Sequence, residues 1–163
     1  MACTPESGTC RTCIALCEHK PGWFLPGEAE KAAELMGLPI TEFFGRWLSV
    51  DWWEGHPDTG RDVFVLSPAV VDGRAGEEFA RDPSGRCVFL TPDKRCRIHA
   101  AKPHECRQAW CGQDDRSGEA RHRHQEVATA WIGHQDQIAE LLGDEPMASA
   151  YEGGLLGWLQ GGW

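Results

Sequence analysis

Eight cysteines carry the chemistry this sequence can offer: Cys3, Cys10, Cys13, Cys17, Cys87, Cys96, Cys106 and Cys111. They form two groups of four, C-x6-C-x2-C-x3-C and C-x8-C-x9-C-x4-C, separated by 69 residues without cysteine. An even count permits disulfides. Against that, the first fifteen residues hold no apolar run of a secretory signal, and thiols in a reducing compartment stay reduced. Cys10-x-x-Cys13 has the spacing of a redox dithiol, but it stands in a polar segment with no strand before it. Metal is the reading that suits both groups, because soft thiolates hold zinc, iron–sulfur clusters and copper(I). All eight cysteines are therefore candidate metal ligands.

Histidine adds little. His99 and His104 flank the second cysteine group and are the histidines placed to ligate or to support a ligand. His122 and His124 stand two apart on a helix and face away from each other. His134 falls on an apolar stripe, where a hydrogen-bonded core histidine is the expectation. No G-x-S-x-G, phosphate-binding glycine loop, dinucleotide fingerprint or H-E-x-x-H motif is present.

The elements that must position these residues are short. Residues 1–26 read as an irregular, cysteine-bearing arm closed by Pro21-Gly22 and Pro26-Gly27. A helix is predicted from Glu28 to Met36 with Gly37 ending it, and a second helix with Thr41 as N-cap. It presents Phe43, Phe44, Trp47 and Leu48 to a core. Residues 51–61 read as a loop, Val63 to Leu66 as a strand, and 72–85 as an exposed connection. CVFLTPDKRCRI, residues 87–98, reads as a β-hairpin turning at Pro92-Asp93. That register sets Phe89 opposite Cys96 and Cys87 opposite Ile98, with both sulfurs on one face. Lys102-Pro103 opens a short helix with Cys106 in its first turn. Cys111 comes at its frayed end. A long helix is predicted from Ser117 to about Leu142, weakened by Gly133.

The whole is an α+β chain: one domain over residues 1–163, with a small metal-centred cysteine core, a short hairpin, several short helices and one long C-terminal helix. Its 163 residues, 41% hydrophobic and 25% charged, suffice for one core and are ordinary for a globular domain. No apolar run is long enough to cross a bilayer, so a cytoplasmic protein without membrane contact is expected. A net charge of −9 makes nucleic acid an unlikely partner. That charge is uneven. Arg86, Lys94, Arg95, Arg97, Lys102 and Arg107 outweigh Asp93 and Glu105 within one stretch, while the remaining chain is strongly acidic. Cations of this kind stabilise the negative charge of thiolates on a metal. The tail after Gly143 carries Tyr151, Leu155, Trp158 and Leu159 among glycines. It needs a surface to order it, either its own domain or a protein partner.

GRCVFLTPDKRCRIHAAKPHECR, residues 85–107, resembles the signature of the YkgJ-like cysteine-cluster family, described as a zinc- or iron-chelating domain. Cys87, Phe89, Leu90, Cys96, Ile98, His99, Lys102, Pro103, Cys106 and Arg107 fill its second segment. Cys10, Cys13 and Cys17 match its first, with Cys3 outlying and Cys111 trailing. The first cluster of that family commonly ends in two adjacent cysteines, whereas Ile14-Ala15-Leu16 separate Cys13 from Cys17 here. The resemblance implies metal chelation in an accessory, electron-transfer or metal-handling role. The alternatives are an enzyme whose metal centre supports catalysis, such as a protein-modifying one, and a zinc-stabilised interaction adaptor. Structural zinc sites often use two short cysteine knuckles. This chain has a single C-x2-C, which tilts the expectation toward an iron–sulfur cluster, with zinc close behind. Cys87, Cys96 and Cys106 are expected to meet at least one N-terminal cysteine.

Overall fold

In the computed structural model, the described residues are Ile14, 17–78, 85–108 and 118–143. Helix α1 spans Glu28–Leu35 and α2 spans Ile40–Trp47. Strands β1, Leu48–Trp53, and β2, Val63–Pro68, follow. After a 3-10 turn at His99–Ala101 come α3, His104–Gln108, then α4, Gly118–Trp131, and α5, Gln135–Leu142. Helices with a two-stranded antiparallel sheet make this an α+β arrangement.

Three expectations are corrected here. The second helix starts at Ile40 behind Pro39, which has an extended ψ of 149° and takes the N-cap position instead of Thr41. Leu48–Trp53 is a strand, where helix and loop were expected. Its LSVDWW sequence gives little alternation, and it is the pairing of Val50 with Leu66 and Trp52 with Phe64 that extends it. The C-terminal helix is interrupted: Ile132–His134 tightens into a 3-10 turn around Gly133, so α4 and α5 are separate segments. Tightening of this kind re-aims a chain where glycine gives the helix no support.

β2 is buried along its whole length. β1 covers one edge. On the other, Phe24 N–H donates to the Leu66 carbonyl (3.0 Å), and Gln135 from α5 acts as a substitute strand. Its Oε1 accepts from Phe64 N–H (3.0 Å), while its Nε2 donates to the carbonyls of Phe64 (2.9 Å) and Trp131 (2.8 Å). Strand groups buried without a partner would cost free energy, and one amide side chain meets them. Phe24, Phe43, Leu48, Phe64, Val127, Trp131 and Ile138 make up much of the single core among the described residues. Trp131 also donates Nε1–H to the Phe24 carbonyl (2.7 Å), tying α4 to the segment that leads from the cysteine arm.

His56 is fully buried in the loop between the strands. Its Nδ1 accepts from Asp58 N–H (3.1 Å), which leaves Nε2–H to donate to Thr129 Oγ1 (2.8 Å) on α4. His56 is thus a clip between loop and helix, and not a member of the cysteine region. His134 is half-buried and packs edge-on to Trp131, with Nδ1 3.0 Å from Gln137 Nε2.

Candidate metal centre

Cys87 and Cys96 each open a tight turn. Leu90 N–H returns to the Cys87 carbonyl (3.1 Å), and His99 N–H to the Cys96 carbonyl (3.2 Å). The turns aim backbone donors at sulfur: Phe89 and Leu90 N–H at Cys87, Ile98 N–H at Cys96. The residue two beyond each cysteine anchors the turn, since Phe89 and Ile98 are both fully buried. Phe89 stacks on Phe43 at 5.8 Å and on Trp47 at 5.3 Å. The aromatic set on α2 is therefore the floor under the Cys87 turn.

The hairpin register expected for 87–98 is off by one residue. Leu90, not Phe89, bridges to Cys96, and Arg97 N–H donates to the Phe89 carbonyl (2.8 Å). The cause is the loop. Thr91 N–H bonds Arg95 O (2.8 Å), Lys94 N–H bonds Thr91 O (3.0 Å), and Lys94 takes a left-handed φ of 64°. A three-residue loop closing through a left-handed residue shifts the pairing that a two-residue loop would give. The two sulfurs approach because of their own turns, not because they share a strand face.

Cys17 arrives from the N-terminal side. Cys87 N–H donates to the Cys17 carbonyl and Gly85 N–H to the His19 carbonyl, both at 2.7 Å. Cys106 comes from α3, and its sulfur accepts from Gly22 N–H. The approach is close: a Cβ on Gly22 would lie 2.8 Å from Cys106 Sγ and 3.0 Å from its backbone nitrogen. Glycine is required there for space.

Two buried carboxylates hold α3 in place. Glu28 Oε2 accepts from Leu25 N–H (2.8 Å) and from His104 N–H (2.9 Å) at the start of α3, and Oε1 pairs with Arg107. Glu105 Oε1 accepts from Trp23 N–H (2.5 Å). Glu105 Oε2 lies 2.6 Å from His124 Nδ1 on α4, in a contact not aligned as a hydrogen bond. Trp23 in turn packs edge-on to His124 at 4.7 Å and donates Nε1–H to Asp51 Oδ2 (2.8 Å). Sequence reasoning passed over Glu28 and Glu105. One signal was present: Glu105 is an acid inside the basic stretch, beside a cysteine.

The four sulfurs share one electrostatic environment. Burial pushes the Cys87 thiol up to about 12; the Phe89 and Leu90 N–H groups pull it down, while Cys17 and Cys96 push it further up. Burial likewise raises Cys106 well above 9.0, with Cys17, Cys87 and Cys96 adding to the rise and Gly22 N–H opposing it. Burial raises Cys96, against the Ile98 N–H and the charge of Lys102. Neighbouring thiolates repel, and N–H donors and cations offset that. Among the described residues neither Arg97 nor Lys102 closes an ion pair within 4.0 Å, although the Arg97 charge acts on Asp93, and Arg97 lies over the Trp47 ring at 6.0 Å.

Cys17, Cys87, Cys96 and Cys106 are thus brought into one neighbourhood. Cys3, Cys10, Cys13 and Cys111 lie outside the described residues, as does the tail after Gly143. His99 sits half-buried in the 3-10 turn, and His104 contributes its backbone N–H to Glu28. No group of three or more His, Cys, Asp or Glu among the described residues is arranged to hold a metal ion as it stands. The donor chemistry fits a thiolate-bound metal; the sulfurs do not yet close on a common point. Comparison with protein-family models, with curated proteins and with solved structures finds no match for this chain.

Proposed function

We propose that this protein holds an iron–sulfur cluster or a zinc ion through clustered thiolates, in an accessory, electron-transfer or metal-handling role, in the manner of the cysteine-cluster proteins that residues 85–107 resemble. One observation carries the reading. Four cysteines from three separate segments lie within electrostatic reach of each other, and Cys87, Cys96 and Cys106 each receive a backbone N–H. As neutral thiols Cys17, Cys87 and Cys96 pack in or against the hydrophobic core, whereas as thiolates they would repel one another. A bound cation reverses the balance, because it deprotonates coordinating thiols and neutralises them.

Cys17, Cys87, Cys96 and Cys106 would hold the metal, the N–H donors would spread their charge, and Arg97 and Lys102 would offset the remainder. A bound cluster would supply one-electron chemistry, and zinc a structural cross-link. No helix among the described residues is long and apolar enough to cross a membrane.

Anaerobic purification with metal analysis, sulfide analysis and a visible spectrum tests the reading. Brown protein with iron and acid-labile sulfide identifies a cluster. Colourless protein with stoichiometric zinc identifies zinc. Protein that carries neither, and takes up neither on titration under reducing conditions, removes it. Cys106→Ser should lower the metal content, with the fold around β1 and β2 unchanged by circular dichroism.

A further inference from the structure

Glu105 and Cys106 are neighbours on α3, Gly22 and Trp23 are neighbours on the arm, and the two pairs meet. Glu105 Oε1 accepts from Trp23 N–H (2.5 Å), and Glu105 N–H returns to the Trp23 carbonyl at a longer 3.5 Å. One residue along each chain, Gly22 comes so close to Cys106 that a Cβ on it would lie 2.8 Å from Sγ. Trp23 is also fixed from the side of the sheet. Its Nε1–H donates to Asp51 Oδ2 on β1 (2.8 Å), and the N–H of the next residue, Phe24, donates to the Leu66 carbonyl on β2 (3.0 Å). Glu105 thus ties α3 to a segment already anchored in the core, one position from a cysteine. The carboxylate is itself buried and confined, with Oε2 resting against His124 on α4 (2.6 Å).

We infer that Glu105 is the positioning residue of Cys106: by holding Trp23 N–H it keeps Gly22 over the sulfur, which fixes how Cys106 is presented to a metal and shields it from reagents in solution. The effect on metal rests on the metal-binding reading; the hold on the sulfur does not. Groups that orient a ligand in this way change metal affinity by about 10–100-fold when they are altered. Reach decides the effect, not charge. The acceptor oxygen stands at the end of two methylenes. Aspartate keeps the charge but is one methylene shorter and falls short of Trp23 N–H. Glutamine loses the charge but keeps an acceptor oxygen at the same reach. The two substitutions therefore act in opposite senses to what a purely electrostatic role would give.

The experiment compares the full chain with Glu105→Asp and Glu105→Gln, each reduced, free of metal and checked by circular dichroism. Iodoacetamide alkylation is followed at every cysteine by peptide mapping. Glu105→Asp should speed alkylation of Cys106 by about tenfold or more, the loss of one buried bond to a charged acceptor, and leave Cys96 unchanged. Glu105→Gln should react like the unaltered chain. In a cobalt(II) titration, Glu105→Asp should weaken uptake by about tenfold or more and displace the thiolate-to-cobalt charge-transfer band, and Glu105→Gln should do neither. An unchanged rate at Cys106 in Glu105→Asp, an equal acceleration at Cys96, or the same acceleration in Glu105→Gln overturns the inference. One check needs no variant: low urea should raise Trp23 amide exchange and Cys106 alkylation together, and Cys106 reacting while Trp23 N–H stays protected overturns it as well. Equal cobalt affinity and spectrum in all three forms refutes the effect of Glu105 on metal and leaves the metal reading standing. An unaltered chain that takes up no cobalt, zinc or iron removes the metal reading, and the alkylation rates still decide the hold of Glu105 on Cys106.

Discussion

Around β1 and β2 the chain is held by buried apolar side chains, whereas around Cys17, Cys87, Cys96 and Cys106 it is held by turns, N–H···S contacts and two carboxylates. Phe24, Phe64, Trp131 and Ile138 are almost fully buried, and side chains of this size each contribute about 1.5–3 kcal/mol through burial. The cysteine region has the floor of Phe89 and Ile98, but its longest regular element among the described residues is the five residues of α3. This second region gathers thiols that burial keeps protonated, and a bound metal would deprotonate and neutralise them.

The largest effect should follow from metal itself. Structural zinc contributes on the order of 10 kcal/mol to folding where the site is absent from the unfolded chain. Loading should therefore slow amide exchange in residues 17–22 and 85–108 by orders of magnitude, and change it little in β1 and β2. Equal slowing everywhere would dissolve the distinction between the regions. Trp131→Ala attacks the other side. It should cost about 3–5 kcal/mol, seen as a large fall in the urea midpoint, because it empties a core position and orphans the Phe24 carbonyl.

Gly22→Ala should do the opposite, weakening metal binding more than global stability. The new Cβ meets Cys106 Sγ at 2.8 Å and Glu105 Cβ at 3.0 Å. Overpacking of this kind costs about 1–3 kcal/mol, here borne where α3 meets the arm. A metal titration beside a melting curve would show the affinity falling by more than the melting temperature implies.

The smallest effect is on pH dependence. Burial pushes the Glu28 carboxyl up, but Arg107 and the N–H groups of Leu25 and His104 outweigh it and hold the group below 4.5. A carboxyl lowered in the folded state adds stability that is complete above the unfolded value and fades as pH falls through the folded one. Acid should therefore loosen α3 before it unfolds the sheet. Glu28→Gln should flatten that acid limb in exchange measurements on residues 104–108, with the neutral-pH fold retained.

Much of the first region was legible. The apolar period of Ala29, Ala32 and Ala33 marked α1, and the run from Val63 to Leu66 marked β2. Strand β1 was not, because LSVDWW acquires its extended shape only from the neighbour it pairs with. In the cysteine region the types and spacing of the sulfurs were legible. The backbone that carries Cys87 and Cys96 was not: a left-handed Lys94 moved the hairpin by one residue, and the two turns replaced the shared strand face.

What the sequence determined by itself is the inventory: eight thiols in two groups, a basic stretch around the second, and apolar periods sufficient for one core. Local chemistry determines these, so they can be read locally. Tertiary structure alone decided that Cys87 N–H donates to the Cys17 carbonyl, that Gly22 rather than another residue borders Cys106, and that Glu28 and Glu105 clamp α3. Each of these contacts joins residues 70 or more positions apart in sequence. Such pairings depend on the packed core that brings the segments together, and no local preference of a cysteine, a glycine or a glutamate encodes its distant partner.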